Sequence, residues 1–115
     1  MIRLSASLTT EELAYIDRVV SKQGYISRQH LFQASLRYVY LQKEKFLPFL
    51  IVNGSKRLRS KEARERILLS TTEKDIAILN RFMRILRIKD TTRARGLIFF
   101  LCVYFMNGGE DNEVY

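Results

Sequence analysis

The sequence has few of the residues that build disulfides and metal sites. Cys102 is the only cysteine and His30 the only histidine among its 115 residues. A single cysteine excludes an intrachain disulfide and a cysteine-based zinc site. Because Cys102 lies in the apolar run 97–106, we predict that it is a small buried hydrophobe. That run is about half as long as the roughly twenty residues that a membrane-spanning helix requires.

Signatures of catalysis and of secretion are also missing from the sequence. It contains no carboxylate pair, metal-ligand spacing or glycine-rich phosphate loop. Its N-terminus lacks the basic and then apolar layout of a signal peptide. We therefore expect an intracellular, cytoplasmic protein that is not an enzyme, with no cofactor, no metal, no small-molecule substrate and no membrane partner.

Positive charge is what the sequence has in excess. Twenty Lys and Arg residues stand against twelve Asp and Glu, which gives a net charge of +8 and an isoelectric point near 9.9. Most of the surplus lies in residues 53–106, whereas the last nine residues contain three acids and no base. A small basic protein usually binds an anionic partner, either nucleic acid or a membrane surface. A chain of this length has room for one compact domain or for two very small units that cannot stand apart.

Residues 1–42 predict a strand followed by two helices. The opening stretch alternates between apolar and polar side chains, which is typical of a half-buried strand. Thr9 and Glu12 have the spacing of a capping box at the start of a helix. Gly24 suits the left-handed end of that helix, and Ser27 is a favourable N-cap for the second helix.

The same order of elements recurs over residues 64–106. Residues 64–71 alternate in the same sense, and Thr91 or Thr92 is suited to begin a final helix. A helical stripe lies between them, formed by Ile76, Leu79, Met83 and Leu86. The second copy has no glycine between its helices and a different apolar spacing, so its register stays open by one or two residues.

Two segments lie outside these copies. Residues 43–63 are predicted to be a linker, first apolar and then basic, and residues 107–115 an acidic and flexible tail. The apolar part surrounds Pro48, and Asn53-Gly54-Ser55 is typical of a turn. We expect the apolar part either to pack internally or to join neighbouring complexes along DNA.

The chain resembles the ribbon-helix-helix transcriptional regulators over RLSASLTTEELAYIDRVVSKQGYISRQHLFQASLRYVYL, and more loosely over residues 64–106. The shared features are an alternating strand, a capped helix, a glycine-containing turn and a serine-capped second helix. The tandem layout resembles the AvtR-type regulators of archaeal filamentous viruses. The resemblance implies a sequence-specific regulator of transcription that inserts a two-stranded β-ribbon into the major groove of double-stranded DNA. If the protein is viral, the resemblance implies that it acts in the host cytoplasm.

One such unit is too small to be stable alone. A two-stranded ribbon is marginal in water, and about forty residues bury too little surface. Two units remove both problems, because their strands pair and their four helices share one core. We therefore expect a mainly α-helical fold with a short antiparallel ribbon, in which residues 2–8 and 65–71 pair within the chain as a pseudo-dimer. Exchange of strands between two chains is the alternative.

The outward positions of the two strands are candidates for base contacts. They are Arg3, Ser5, Ser7, Arg66, Leu68 and Ser70. Arginine can bond guanine in bidentate fashion, serine can donate or accept a hydrogen bond, and leucine can contact a thymine methyl group. The alternative is a solvated ribbon face without a partner. Because the two triplets differ, we predict that the preferred DNA site is an imperfect palindrome.

Candidates for phosphate contacts lie at helix starts and in the linker. Free N–H groups and the helix dipole favour an anion at a helix N-terminus, and the family resemblance places a backbone grip there. The candidates are Ser27, Arg28, Thr92 and Arg93, with Arg57, Arg59 and Lys61 adding sequence-independent attraction from the linker. The alternatives are ordinary helix capping and a solvated charged loop.

Three functions are consistent with the sequence. The first is a DNA-binding regulator that occupies an operator, as an activator or a repressor, with self-association on DNA. The second is an antitoxin-type or other protein-interaction module on the same fold, which the short tail disfavours because it has few apolar residues to bury. The third is a nonspecific architectural coat of DNA.

Overall fold

Residues 2–58 and 62–108 are described by a computed structural model. Within these ranges the chain forms five helices and two strands, which pair as a two-stranded antiparallel sheet, here called the ribbon. In chain order the elements are β1 (Ile2–Thr9), α1 (Thr10–Gln23), α2 (Arg28–Leu41), α3 (Lys43–Leu58), β2 (Arg64–Thr71), α4 (Glu73–Leu86) and α5 (Thr92–Met106). We call β1, α1 and α2 the first unit and β2, α4 and α5 the second unit. Most of the predicted acidic tail lies outside the described residues.

The ribbon joins the two units. Its strands pair from Ile2 opposite Thr71 to Thr9 opposite Arg64, so the pairing occurs between two segments of one chain. The predicted alternation of both strands is confirmed. The inward side chains of Leu4, Ala6, Leu8, Ile67, Leu69 and Thr71 are all buried.

Local signals in the first unit act as the sequence predicts. The Oγ1 of Thr9 accepts a hydrogen bond from the Glu12 N–H at 3.1 Å, and a carboxylate oxygen of Glu12 accepts one from the Thr9 N–H at 3.0 Å. Gly24 ends α1 in the left-handed conformation, with φ of 73°. Ser27 caps α2, because its Oγ accepts from the N–H of His30 at 3.2 Å.

The second unit reaches the same order with different residues. Thr91 caps α5 by accepting from the N–H of Ala94 at 3.1 Å, so Thr92 is the first helical residue. Arg87 takes the left-handed position at the end of α4, with φ of 56°, where the first unit has glycine. The stripe predicted for α4 is rotated: its buried apolar residues are Ile78, Leu79, Phe82 and Met83, whereas Ile76 and Leu86 are only half-buried. Thr72 caps α4, and Glu73 is its first helical residue.

The predicted linker contains a helix, and the predicted turn at Asn53-Gly54-Ser55 is wrong. α3 runs through these residues, and the side-chain N–H of Asn53 donates to the carbonyl oxygen of Phe49 one turn earlier. Gly54 is buried, and a Cβ added there would lie 3.2 Å from the methyl groups of Leu86 in α4. Close packing of α3 on α4 therefore overrides the local turn signal.

All five helices share one core with the inward face of the ribbon. Every residue of α5 from Gly96 to Val103 is buried, and α3 adds Phe46, Phe49 and Leu50. These three side chains of the apolar part of the linker thus pack internally, whereas those of Ile51 and Val52 are exposed. Cys102 is buried as predicted, and burial raises the pKa of its thiol. Among the described residues no helix is both long and apolar enough to span a membrane.

Candidate nucleic-acid interface

The six predicted base-contacting residues lie together on the solvent side of the ribbon, which we call the outward face. The antiparallel register places them in three cross-strand pairs, Arg3 with Ser70, Ser5 with Leu68, and Ser7 with Arg66. Both arginines are exposed, and Leu68 is 63% exposed although it is a large apolar residue. Ser5 and Ser70 are half-buried, and Ser7 is only 9% exposed. The outward face therefore presents two cations, two serines and one leucine to solvent.

The register gives the outward face a local twofold symmetry. Rotation about an axis through the middle pair exchanges the two arginines with each other and the two outer serines with each other. Only the middle pair breaks this symmetry, because Ser5 of the first unit faces Leu68 of the second. The difference between the two predicted triplets is thus confined to the centre of the ribbon.

Side chains from two helix N-termini each satisfy one backbone group at an outer edge of the ribbon. The guanidinium of Arg95 in α5 donates to the carbonyl oxygen of Ser5 at 2.9 Å. On the other edge, the side-chain oxygen of Gln29 in α2 accepts from the N–H of Ser70 at 3.1 Å. Unpaired strand edges otherwise invite pairing with another strand. These contacts fix the strands on the helices and leave the outward face in solvent.

Gly96 lets α5 lie directly on β1. A Cβ at this position would overlap the carbonyl oxygen of Ser7, so no other residue fits without a shift of backbone. The same close approach explains why Ser7 is so little exposed, together with Arg64, whose guanidinium donates to the same carbonyl oxygen at 3.4 Å. The hydroxyl of Ser7 is therefore less accessible than the sequence pattern predicts.

The two predicted phosphate-binding positions of α2 are partly engaged within the protein. Ser27 caps the helix, and Arg28 forms two hydrogen bonds with the carboxylate of Asp17, at 2.8 and 2.9 Å. This pairing lowers the pKa of Asp17 and raises the pKa of Arg28. Arg28 therefore joins α2 to α1, and the N-terminus of α2 carries a neutral ion pair.

The N-terminus of α5 has a more basic environment. The cap equivalent to Ser27 is Thr91, one residue before the predicted Thr92. Arg93 is exposed in the first turn. Burial lowers the pKa of Arg64, and the positive charge of Arg93 lowers it further. Arg64 itself lies opposite Thr9, at one end of the ribbon.

Of the three phosphate contacts predicted in the linker, the structure describes only Arg57. Arg57 lies against the core, with a guanidinium nitrogen 3.3 Å from a carboxylate oxygen of Glu12 and its central carbon 4.4 Å from the ring centre of Phe100. It braces α3 against α1 and α5. Arg59 and Lys61 lie outside the described residues.

Sequence reasoning did not identify four residues of this site, namely Gln29, Arg64, Arg95 and Gly96. Three of them act through contacts with strand backbone that only the tertiary arrangement creates. Gly96 carried a usable signal, because a glycine inside an apolar helical pattern often marks a close approach of backbone. The described residues include no cluster of histidine, cysteine or acidic side chains that could hold a metal ion.

Comparison with protein-family models, with curated proteins and with solved structures finds no match to this chain. Its function is therefore inferred from the residues and geometry of the ribbon.

Proposed function

We propose that the chain is a tandem ribbon-helix-helix protein that binds double-stranded DNA by placing the outward face of its ribbon in the major groove. The observation that carries this proposal is an exposed, arginine-bearing strand pair whose opposite face is buried on helices. The major groove admits a two-stranded ribbon, and several regulators read DNA with such ribbons. The net charge of +8 supports an anionic partner.

Base recognition follows from the symmetry of the outward face. Arg3 and Arg66 occupy equivalent positions, so each is expected to prefer the same base, with guanine the favoured partner of arginine. Ser5 and Leu68 meet at the centre and offer a hydroxyl group on one side and an apolar surface on the other. The preferred site is therefore expected to be an imperfect palindrome whose outer bases are symmetric and whose central bases are not.

Selection of binding sites from random duplex DNA tests this proposal. The selected duplex should bind at least about a thousandfold more tightly than random duplex at moderate salt. Arg3→Ala and Arg66→Ala should each relax the preference at one of two symmetry-related positions and cost about 1–3 kcal/mol. Arg84→Ala is the matched control, because Arg84 is exposed in the last turn of α4.

Two outcomes would contradict the proposal in different ways. Failure of the protein to bind any duplex at low salt would remove DNA binding altogether. Steeply salt-dependent binding without a preferred sequence would instead indicate an architectural coat.

A further inference from the structure

Arg95 links the start of α5 to the centre of the ribbon. Its guanidinium donates through Nη1 to the carbonyl oxygen of Ser5 at 2.9 Å, and through Nε to a carboxylate oxygen of Asp90 at 2.7 Å. Asp90 directly precedes Thr91, the cap of α5. Only 20% of the Arg95 side chain is exposed. We call this pair of hydrogen bonds the Arg95 bridge.

The chemistry of arginine makes the Arg95 bridge stiff. A planar guanidinium holds its N–H groups in a fixed fork, and hydrogen bonds from an ionised donor are roughly twice as strong as neutral ones. The carboxylate of Asp90 holds one side of the fork, so the side that contacts Ser5 has little freedom left. Gly96, the next residue of α5, brings the same helix against the carbonyl oxygen of Ser7. Two consecutive residues of α5 thus contact the backbone of β1 at two of its outward positions.

The corresponding position of the first unit cannot form such a bridge. Counted from the helix caps, the residue of α2 that corresponds to Arg95 is Leu31. Its side chain is buried and has no hydrogen-bonding group. The strand residue that corresponds to Ser5 is Leu68, which stands opposite it at the centre of the ribbon. The bridge therefore lies on the side whose central side chain is polar.

This placement matches what the two central side chains require. A hydrogen bond from a hydroxyl group weakens steeply when its angle is poor, so a serine discriminates between bases well only when its backbone is held in place. Apolar contact has no such direction, and Leu68 gains little from a fixed backbone. A serine without a bridge still prefers the same base pair, but less strongly.

We propose that Arg95 is a positioning residue for DNA recognition, which holds Ser5 so that its hydroxyl group distinguishes the central base pair on its side of the site. This inference rests on the proposed function and names a residue that sets its specificity without touching DNA bases. Asp90 supports the role by holding the guanidinium from the other side.

Base-pair substitution in the duplex selected by the wild-type protein tests this inference. Each central and outer base pair is replaced in turn, and the affinities of the wild-type protein and of Arg95→Met are measured. Methionine keeps an unbranched side chain and removes the donors. Replacing the central base pair read by Ser5 should cost the wild-type protein about tenfold in affinity and Arg95→Met only about threefold. Replacing the outer base pairs should cost both proteins the same.

Three further variants make the test independent of general effects on binding. Ser5→Ala identifies the base pair in question, and adding Arg95→Met to it should change the base preference no further, because the arginine acts through the serine. Asp90→Asn leaves the arginine in place and should give a central preference between those of the wild-type protein and Arg95→Met. Arg84→Met, which removes an exposed arginine of α4, should keep the wild-type preference at every position.

The outcomes separate this inference from the function on which it rests. If the wild-type protein binds no duplex at low salt, the proposed function fails and the inference with it. If Arg95→Met binds every duplex more weakly by the same factor and keeps the central preference, the positioning role is wrong while DNA binding stands. Asp90 is 51% exposed, so Asp90→Asn gives the answer if Arg95→Met fails to fold. An unchanged central preference in that variant would then overturn the role.

Discussion

The two units form the same order of elements, but their helices begin and end with different capping residues. The first unit begins α1 with a complete capping box and ends it with Gly24 in the left-handed conformation. In the second unit Asp75 stands where Glu12 does, and its side chain accepts from the Thr71 hydroxyl at 3.4 Å. Arg87 holds the left-handed position there despite its side chain. Local signals thus specify the first unit, whereas the second depends more on its contacts with the rest of the chain.

The second unit, whose helix-capping signals are weaker, packs its last helix more tightly on the ribbon than the first unit does. In the second unit Gly96 brings α5 onto β1 and allows backbone contact. Counted from the caps of the two helices, the equivalent residue of α2 is Phe32, a large core side chain. The unit with weaker local signals therefore supplies the tighter contact with the ribbon. The two units are specialised rather than redundant.

The largest expected effect comes from breaking that tight contact. Gly96→Ala would force α5 away from β1 and should lower the free energy of unfolding by about 3 kcal/mol or more. Denaturation in urea measures this change. Gly54→Ala is the matched control, because its Cβ would meet only side-chain methyl groups of Leu86 and should cost about 1 kcal/mol or less. Equal stabilities for the two variants would show that α5 does not need its close approach.

A smaller effect is expected from exchanging the two helix ends. Arg87→Gly should raise the free energy of unfolding by about 1 kcal/mol, because glycine adopts positive φ without strain. Gly24→Ala should lower it by about the same amount, since its Cβ would meet nothing within 4 Å and only the backbone conformation is strained. Thermal unfolding of both variants measures the pair. Changes of the same sign would refute the equivalence of the two positions.

The smallest effect concerns the ion pair that the first unit places between its helices. The folded pKa of Asp17 is lowered from 3.8, so the pair stabilises the protein above that pH and its contribution is lost as pH falls through the lowered value. Both side chains are partly exposed, so the contribution is at most about 0.5 kcal/mol. Asp17→Asn should therefore reduce stability slightly at pH 7 and leave it nearly unchanged at a pH well below the lowered pKa of Asp17. An equal loss at both pH values would exclude the ion pair as the cause.

Local patterns account for the parts of the fold that were predictable. Alternation sets the faces of both strands, and Thr9, Gly24 and Ser27 mark helix ends by their own chemistry. α3 could not be predicted in this way, because Gly54 serves a contact with Leu86 on another helix. The hydrogen bond from Arg95 to the Ser5 carbonyl oxygen was equally hidden, since tertiary packing alone brings the start of α5 beside β1.

The central claim is that the outward face of the ribbon reads DNA, and Leu68→Ser tests it most directly. Leu68 is 63% exposed, so the change should leave the fold intact while making the residue types of the three cross-strand pairs symmetric. Selection from random duplex DNA should then return a site whose centre has become palindromic and whose outer bases are those of the wild-type site. A selected site identical to that of the wild-type protein would contradict the claim.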